Sequence, residues 1–294
     1  MTALPERLDL PSFLVIGAMK SGTTALYSLL CSHPHIRMSS IKEPHFFNSP
    51  DVFGGTWNHG LEWYLSLFPP GPGVRGEAST GYTKFPRDAA VVDRIHETLP
   101  QARFVYLVRN PIDRALSHYL HSVLDGLEER PIHRALLELA KGYYVTTGLY
   151  ALQLAQYLRW YPRERFCILV SESFWRDRAA GLRHLHRFLG VDEILPETFP
   201  TEKRRSTERR LRSFLGRSTA PRNEAQRELL GALGPCALGP QWDAAAIAGS
   251  LGFGLADRRA LADRFREDVG QLSRILERQV VEWRCDFSDA REMR

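Results

Sequence analysis

Residues Gly17-Ala-Met-Lys20-Ser21-Gly22-Thr23-Thr24 carry the chemistry most directly readable from residue type and spacing. They follow the apolar run Phe13-Leu-Val-Ile16 and precede Ala25-Leu26 and Leu29-Leu30, which recur at helical spacing until His33-Pro34. A glycine-bearing loop between a buried strand and a helix lets backbone N–H groups converge on a phosphate, and the helix start adds about half a positive charge there. The loop that holds ATP or GTP reads G-x-x-x-x-G-K-[ST], with its lysine after the second glycine. Here Lys20 stands two residues before Gly22. Only Lys20, Lys42, Lys84, Lys141 and Lys203 are lysines in an arginine-rich chain, so a lysine inside this loop is informative.

The elements that must position such a loop are those of an α/β chain: short β-type runs alternate with longer helical patterns over the first 190 residues. Phe13–Ile16, Phe104–Val108 and Phe166–Val170 are continuous apolar runs, the pattern of parallel strands buried on both faces. The reading is a central parallel sheet of about five strands flanked by helices, in a P-loop-like arrangement. Helices are expected over Asp88–Leu99, from Pro111 through Leu120, over Arg134–Leu139 and Leu149–Trp160, and from Ser171 to Leu189. Residues 39–75 read as irregular, and 196–250 as long loops with short helices. Leu261, Phe265, Val269, Leu272, Leu276, Val280 and Trp283 predict one amphipathic helix over about 257–283.

The order K-[ST]-G-T-T after a strand resembles the loop of sulfotransferases that use 3′-phosphoadenosine 5′-phosphosulfate (PAPS). About 90 residues later FVYLV runs into RNPIDRALSHYLH, similar to that family's second signature, which places Arg109 and Ser117 at the positions that bond the 3′-phosphate. Ile41-Lys42-Glu43-Pro44-His45-Phe46-Phe47-Asn48 resembles the KEPHFF block of the heparan-sulfate type of N- and O-sulfotransferases and their bacterial relatives. That branch continues with E-K-[ST]-P-x-Y; this chain has Glu77-Ala-Ser-Thr-Gly-Tyr82, with Ala78 and Thr80 departing from the pattern. The resemblance is strong over residues 11–190 and weaker beyond, and implies one sulfotransferase domain over 1–294.

What the resemblance implies is sulfuryl transfer from PAPS to a hydroxyl, or an amine, of a carbohydrate-like or natural-product acceptor, with adenosine 3′,5′-bisphosphate (PAP) as product and no metal. Catalysis of such in-line displacement is mostly positioning and charge stabilisation. Lys20 would donate to the leaving phosphate oxygen, helped by Ser21, Gly22, Thr23 and Thr24, and Glu77 would take the acceptor proton. Lys42 would contact the transferring sulfonate, His45 and His121 would line the acceptor site, and Lys203 and Arg204 would fold over the cofactor phosphates. A kinase of the ATP-binding P-loop type is the competing reading, opposed by the lysine order and by the lack of an evident magnesium-binding aspartate after a second strand.

Composition bounds the rest. With 294 residues, 44% apolar and 25% charged, the chain is neither disordered nor collagen-like. The net charge of +5 alone leaves a nucleic acid, an acidic surface or a small anion open, but the arginines are dispersed and match no nucleic-acid module, so no nucleic-acid partner is expected. Cys31, Cys167, Cys236 and Cys285 are far apart and do not cluster with histidines, which argues against zinc and against a disulfide framework. The first residues lack the pattern of a secretory leader, and Phe13–Met19 is far below the ~20 residues of a membrane span. A cytoplasmic bacterial enzyme is the expectation, and the terminal amphipathic helix is compatible with a homodimer.

Overall fold

Five parallel strands lie in the order β2-β3-β1-β4-β5: β1 is Phe13–Gly17, β2 Ile36–Met38, β3 Val74–Ala78, β4 Arg103–Val108 and β5 Phe166–Val170. The structure, a computed structural model, describes residues 10–138, 142–199, 205–216, 221–233 and 243–287. In chain order its helices are α1 Thr23–Cys31, α2 Gly60–Ser66, α3 Val91–Thr98, α4 Pro111–Asp125, α5 Tyr143–Thr146, α6 Tyr150–Leu158, α7 Ser171–Arg176, α8 Arg178–Leu189, α9 Arg205–Leu215, α10 Glu224–Leu233, α11 Ala244–Ser250, α12 Leu255–Ile275 and α13 Arg284–Phe287. The chain forms two compact units, one drawn from residues up to 109 together with 150–199, the other from 110–149 together with the described residues from 205 onward.

The first unit holds the whole sheet. Successive side chains of a strand alternate between faces, and both faces are covered here, which is why the strands read as unbroken apolar runs. Phe13, Val15, Val105, Leu107, Cys167 and Leu169 pack with α1 and α8 through Leu26, Leu29, Leu30, Leu182, Leu185 and Leu189. On the opposite face the Phe104 ring meets Tyr157 of α6 at 5.1 Å, and Tyr106 meets Tyr150 at 5.8 Å. The chain order reverses around β1, whose neighbours are β3 and β4, and in open parallel sheets the crevice beyond such a switch point is where ligands bind.

Strand β3, like the three-residue β2, is an element the hydrophobic pattern concealed. Its sequence, Val-Arg-Gly-Glu-Ala, has no apolar run, yet Gly76 pairs with Phe13 and a Cβ there would stand 2.2 Å from the Phe13 ring. The glycine that breaks the pattern makes room for a core phenylalanine. The expected helix from Ser171 to Leu189 is instead two, because Asp177 ends α7 and its side chain caps α8 by accepting from Ala180 N at 3.0 Å.

The second unit packs α4 with α5 and with α9 to α12 around Leu116, Tyr119, Leu120, Val123, Leu229, Ile247, Leu261 and Phe265. Helix α4 starts as its sequence dictates: Asn110 accepts from Ile112 N and Asp113 N, and Pro111 occupies the first turn. The short helices expected between 196 and 250 are α9, α10 and α11, and one expectation changes here: the terminal helix stops at Ile275 rather than continuing to Trp283. Glu277 takes a left-handed conformation (φ 54°) while its N–H bonds Arg274 O at 3.1 Å and Arg278 N bonds Ser273 O at 3.2 Å, a Schellman ending. Val280 and Trp283 remain buried without helical continuity, which is why the periodicity ran on past the helix end. Among the described residues no helix is long and apolar enough to cross a membrane.

Candidate functional site

The loop leaving β1 is tied down by backbone bonds: Ala18 N donates to Leu107 O at 2.7 Å and Ser21 N to Ala18 O at 3.1 Å. Lys20 and Gly22 have positive φ, 71° and 99°, and Gly22 is the N-cap of α1 without any side-chain cap bond. A Cβ on Gly22 would approach Trp175 Nε1 to 2.9 Å, so both dihedral and space require glycine. The first N–H groups of a helix have no intrahelical acceptor, and no acidic residue lies in the first turn of α1 to compete for them. Ser21 Oγ is buried and without a hydrogen-bond partner, while Ser171 Oγ holds the Ser21 carbonyl at 2.8 Å.

Arg109, at the end of β4, reaches this loop: its Nη1 donates to Lys20 O at 3.3 Å. Tyr150 fixes the Arg109 backbone, its hydroxyl donating to Arg109 O at 2.6 Å. Two cationic residues, an uncapped helix start and an orphaned buried hydroxyl form a donor set suited to a polyanion. PAPS, whose phosphates need such donors, fits the residues present. Among the described residues, no group of three His, Cys, Asp or Glu side chains could hold a metal ion.

At the end of β3 stands Glu77, fully buried. Its Oε1 accepts from Tyr82 Oη at 2.5 Å and from Tyr64 Oη at 3.1 Å, and its Oε2 from Ser79 Oγ at 2.7 Å. Burial pushes the carboxyl up to about 7, against the pull of these three hydroxyls and with further help from the nearby Glu43 charge. Aromatic rings close the surroundings: Tyr64 stacks on Phe46 at 4.1 Å, and Phe47 meets Tyr82 edge-on at 5.6 Å.

Glu43 behaves in the opposite way. It pairs with Lys42 and with His45 Nε2 at 3.3 Å, and its Oε2 accepts from Thr80 N at 2.8 Å and Thr80 Oγ1 at 3.0 Å. Burial raises this carboxyl, but Lys42, His45 and the Thr80 N–H outweigh it, so the net shift is downward. Two carboxyls in one neighbourhood are thus pushed apart, the arrangement that separates a fixed anion from a titrating base. Burial holds the His45 imidazole below its usual range, with Lys84 and Lys42 adding to the effect against Glu43. The His45 backbone N donates to Ser79 Oγ at 3.0 Å, which links the Lys42–Asn48 block to Glu77.

The structure therefore brings Lys20, Ser21, Gly22, Thr23, Thr24 and Arg109 together at the ends of β1 and β4, and gathers Lys42, Glu43, His45 and Glu77 around the end of β3. Ser117 and His121 belong to the second unit, both on α4; Ser117 is buried, and His121 Nε2 lies 3.6 Å from Asp125 Oδ2, while Arg210 Nη1 donates to Asp125 Oδ1 at 2.7 Å. Lys203 and Arg204 lie outside the described residues. Sequence reasoning gave no role to Glu43, although it stands inside the Lys42–Asn48 block. It missed Tyr64 altogether, since a tyrosine in a segment read as irregular gives no signal.

Comparison with known proteins gives a consistent family. The sulfotransferase domain family matches residues 10–214. The chain is similar to human bifunctional heparan sulfate N-deacetylase/N-sulfotransferase 2, with 28% identity over 215 residues, covering 64% of this chain and 23% of that protein. It is also similar to human heparan sulfate glucosamine 3-O-sulfotransferase 6, with 31% identity over 206 residues, 66% of this chain and 56% of that one. The chain thus spans less than a quarter of the first relative and just over half of the second. Among solved structures, a sulfotransferase from Alicyclobacillus acidocaldarius superposes with a TM-score of 0.67 at 25% identity, covering 94% of this chain and 99% of that one.

Proposed function

From the premise that the chain belongs to the sulfotransferase domain family, we propose that it transfers a sulfuryl group from PAPS to a hydroxyl, or an amine, of a carbohydrate-like or natural-product acceptor. When bound, PAPS supplies the activated sulfuryl group. The observation that carries this reading is the loop after β1, with its orphaned Ser21 hydroxyl, uncapped α1 start, and Arg109 donating to the Lys20 carbonyl.

Under this reading the N–H groups of Gly22 to Thr24 and the Ser21 hydroxyl bind phosphate oxygens, and the Lys20 ammonium stabilises the charge that grows on the leaving oxygen. Arg109 and Ser117 hold the 3′-phosphate. Glu77 takes the acceptor proton; its carboxyl, pushed up to about 7, is matched to accept a proton near neutrality. Because Glu77 is sealed from solvent, the Thr80–Thr83 turn or the Lys42–Asn48 block must give way as an acceptor enters. Lys42 is neutralised by Glu43, so its contribution to the sulfonate depends on that pair opening. His45, held below its usual range by burial and standing beside Glu43, is assigned with His121 to the acceptor side. Lys203 and Arg204 are assigned to covering the cofactor phosphates. One functional domain in the bacterial cytoplasm, able to act as a homodimer, completes the proposal.

The kinase alternative finds no support: the family match is to sulfotransferases, and Lys20 precedes rather than follows Gly22. A thermal-shift comparison tests the reading. PAP should raise the melting temperature and Mg-ATP should not; stabilisation by Mg-ATP alone overturns it.

A further inference from the structure

The second unit contains a cavity of about 660 Å³ that none of the chemistry above uses. One wall is α12, through Arg266, Val269, Ser273 and Arg274; the other is the chain after it, through Arg278 and Arg284. The Schellman ending at Glu277 produces this shape, because it turns the chain back along the helix it has just left. Val269, Val280, Trp283 and Phe287 supply an apolar floor, in which Trp283 is only 1% exposed.

The charges around this floor are unequally satisfied. Arg266 is held by Asp263 at 2.9 Å and by Phe287 O at 3.1 Å, and Arg278 faces Glu282 at 3.5 Å. The Arg274 and Arg284 side chains are exposed, and among the described residues neither guanidinium has a hydrogen-bond or ion-pair partner. The one carboxylate on the lining is Glu277. Four guanidinium groups around one small cavity is more positive charge than the lining neutralises, and the guanidinium fork matches the paired oxygens of a carboxylate or a sulfate.

We propose that this cavity is a binding site for an acidic oligosaccharide, with Arg274 and Arg284 taking its carboxylate or sulfate groups and the apolar floor taking the C–H face of a sugar ring. The volume suits a ligand of a few sugar units. Single-stranded nucleic acid is the less favoured occupant: its binding relies on exposed aromatic platforms for successive bases, and of the two aromatics here Trp283 is buried and Phe287 is partly buried. The proposal rests on the carbohydrate-acceptor reading for its choice of ligand, but its residues lie outside that chemistry.

The test is calorimetric titration of the full chain, saturated with PAP, with a heparin-type hexasaccharide, a neutral maltohexaose and a single-stranded oligonucleotide of equal charge. The acidic hexasaccharide should bind best, and the double variant Arg274→Ser/Arg284→Ser should weaken it by about tenfold or more. Arg274→Lys/Arg284→Lys should recover part of the loss, because charge returns without the fork. The PAP affinity of all three proteins should be equal. Absence of hexasaccharide binding, an unchanged affinity in the serine variant, or equal binding of the oligonucleotide overturns the proposal. Loss of PAP binding in every protein, with the hexasaccharide effect retained, overturns the PAPS reading and leaves the cavity assignment standing.

Discussion

The loop after β1 and the pair of carboxyls near β3 solve two different electrostatic problems. The loop presents positive potential through backbone N–H groups and through Lys20 and Arg109. The carboxyl pair depends on burial: Glu43 is held ionised by Lys42 and Thr80, while Glu77, with only hydroxyl partners, is pushed up to about 7. One region binds by fixed charge and the other works by a proton that can come and go. Mutations in the first should therefore act on nucleotide affinity or on leaving-group charge, and changes of pH should act through the second.

Within the loop, the largest effect is expected from Lys20→Ala. Removing one preorganised donor to developing charge costs on the order of 10²–10³ in turnover, read as PAPS consumption in the presence of an acceptor. Near-normal turnover would take the leaving-group role from Lys20. Arg109→Ala should weaken PAP binding by about 10–100-fold while leaving adenosine 5′-monophosphate nearly unaffected; equal losses for both nucleotides would reject the 3′-phosphate assignment.

A pH series probes the second region without an acceptor. Folding raises the Glu77 carboxyl from an ordinary 4.5 to about 7, so the folded chain holds the proton more tightly than the unfolded one. The resulting stabilisation is complete below about pH 4.5 and is lost as pH rises through about 7, a difference of about 3 kcal/mol. Denaturant unfolding at pH 5 and pH 8 should show wild type losing most of that, about 2.5 kcal/mol, relative to Glu77→Gln. Parallel curves would mean that burial does not set the protonation of Glu77. The smallest effect is expected for Thr80→Val, which removes one hydroxyl donor from the ionised Glu43: about 1–2 kcal/mol of stability, with PAP affinity unchanged. A shift in PAP affinity would show that the two regions are coupled.

The same contrast explains what was legible beforehand. Lys20, Gly22 and Arg109 stand in or beside contiguous apolar strands, so their places at strand ends could be read from local pattern alone. Glu77 was found only through its resemblance to a family block, because β3 trades apolar residues for Gly76 to accommodate Phe13. Its partner Tyr64 and its charged neighbour Glu43 come from a segment without periodicity, and only tertiary folding sets them around the carboxylate. The terminal helix was overextended for a related reason: Leu276, Val280 and Trp283 keep helical spacing, yet Glu277 turns the chain and tertiary packing buries Val280 and Trp283.

The division of labour itself is tested most directly on Glu77→Gln, by measuring PAP affinity and single-turnover sulfuryl transfer on the same preparation. The predicted result is an unchanged PAP dissociation constant with transfer slowed on the order of 10²–10⁴-fold. Transfer at the wild-type rate, or equal loss of binding and transfer, would contradict it.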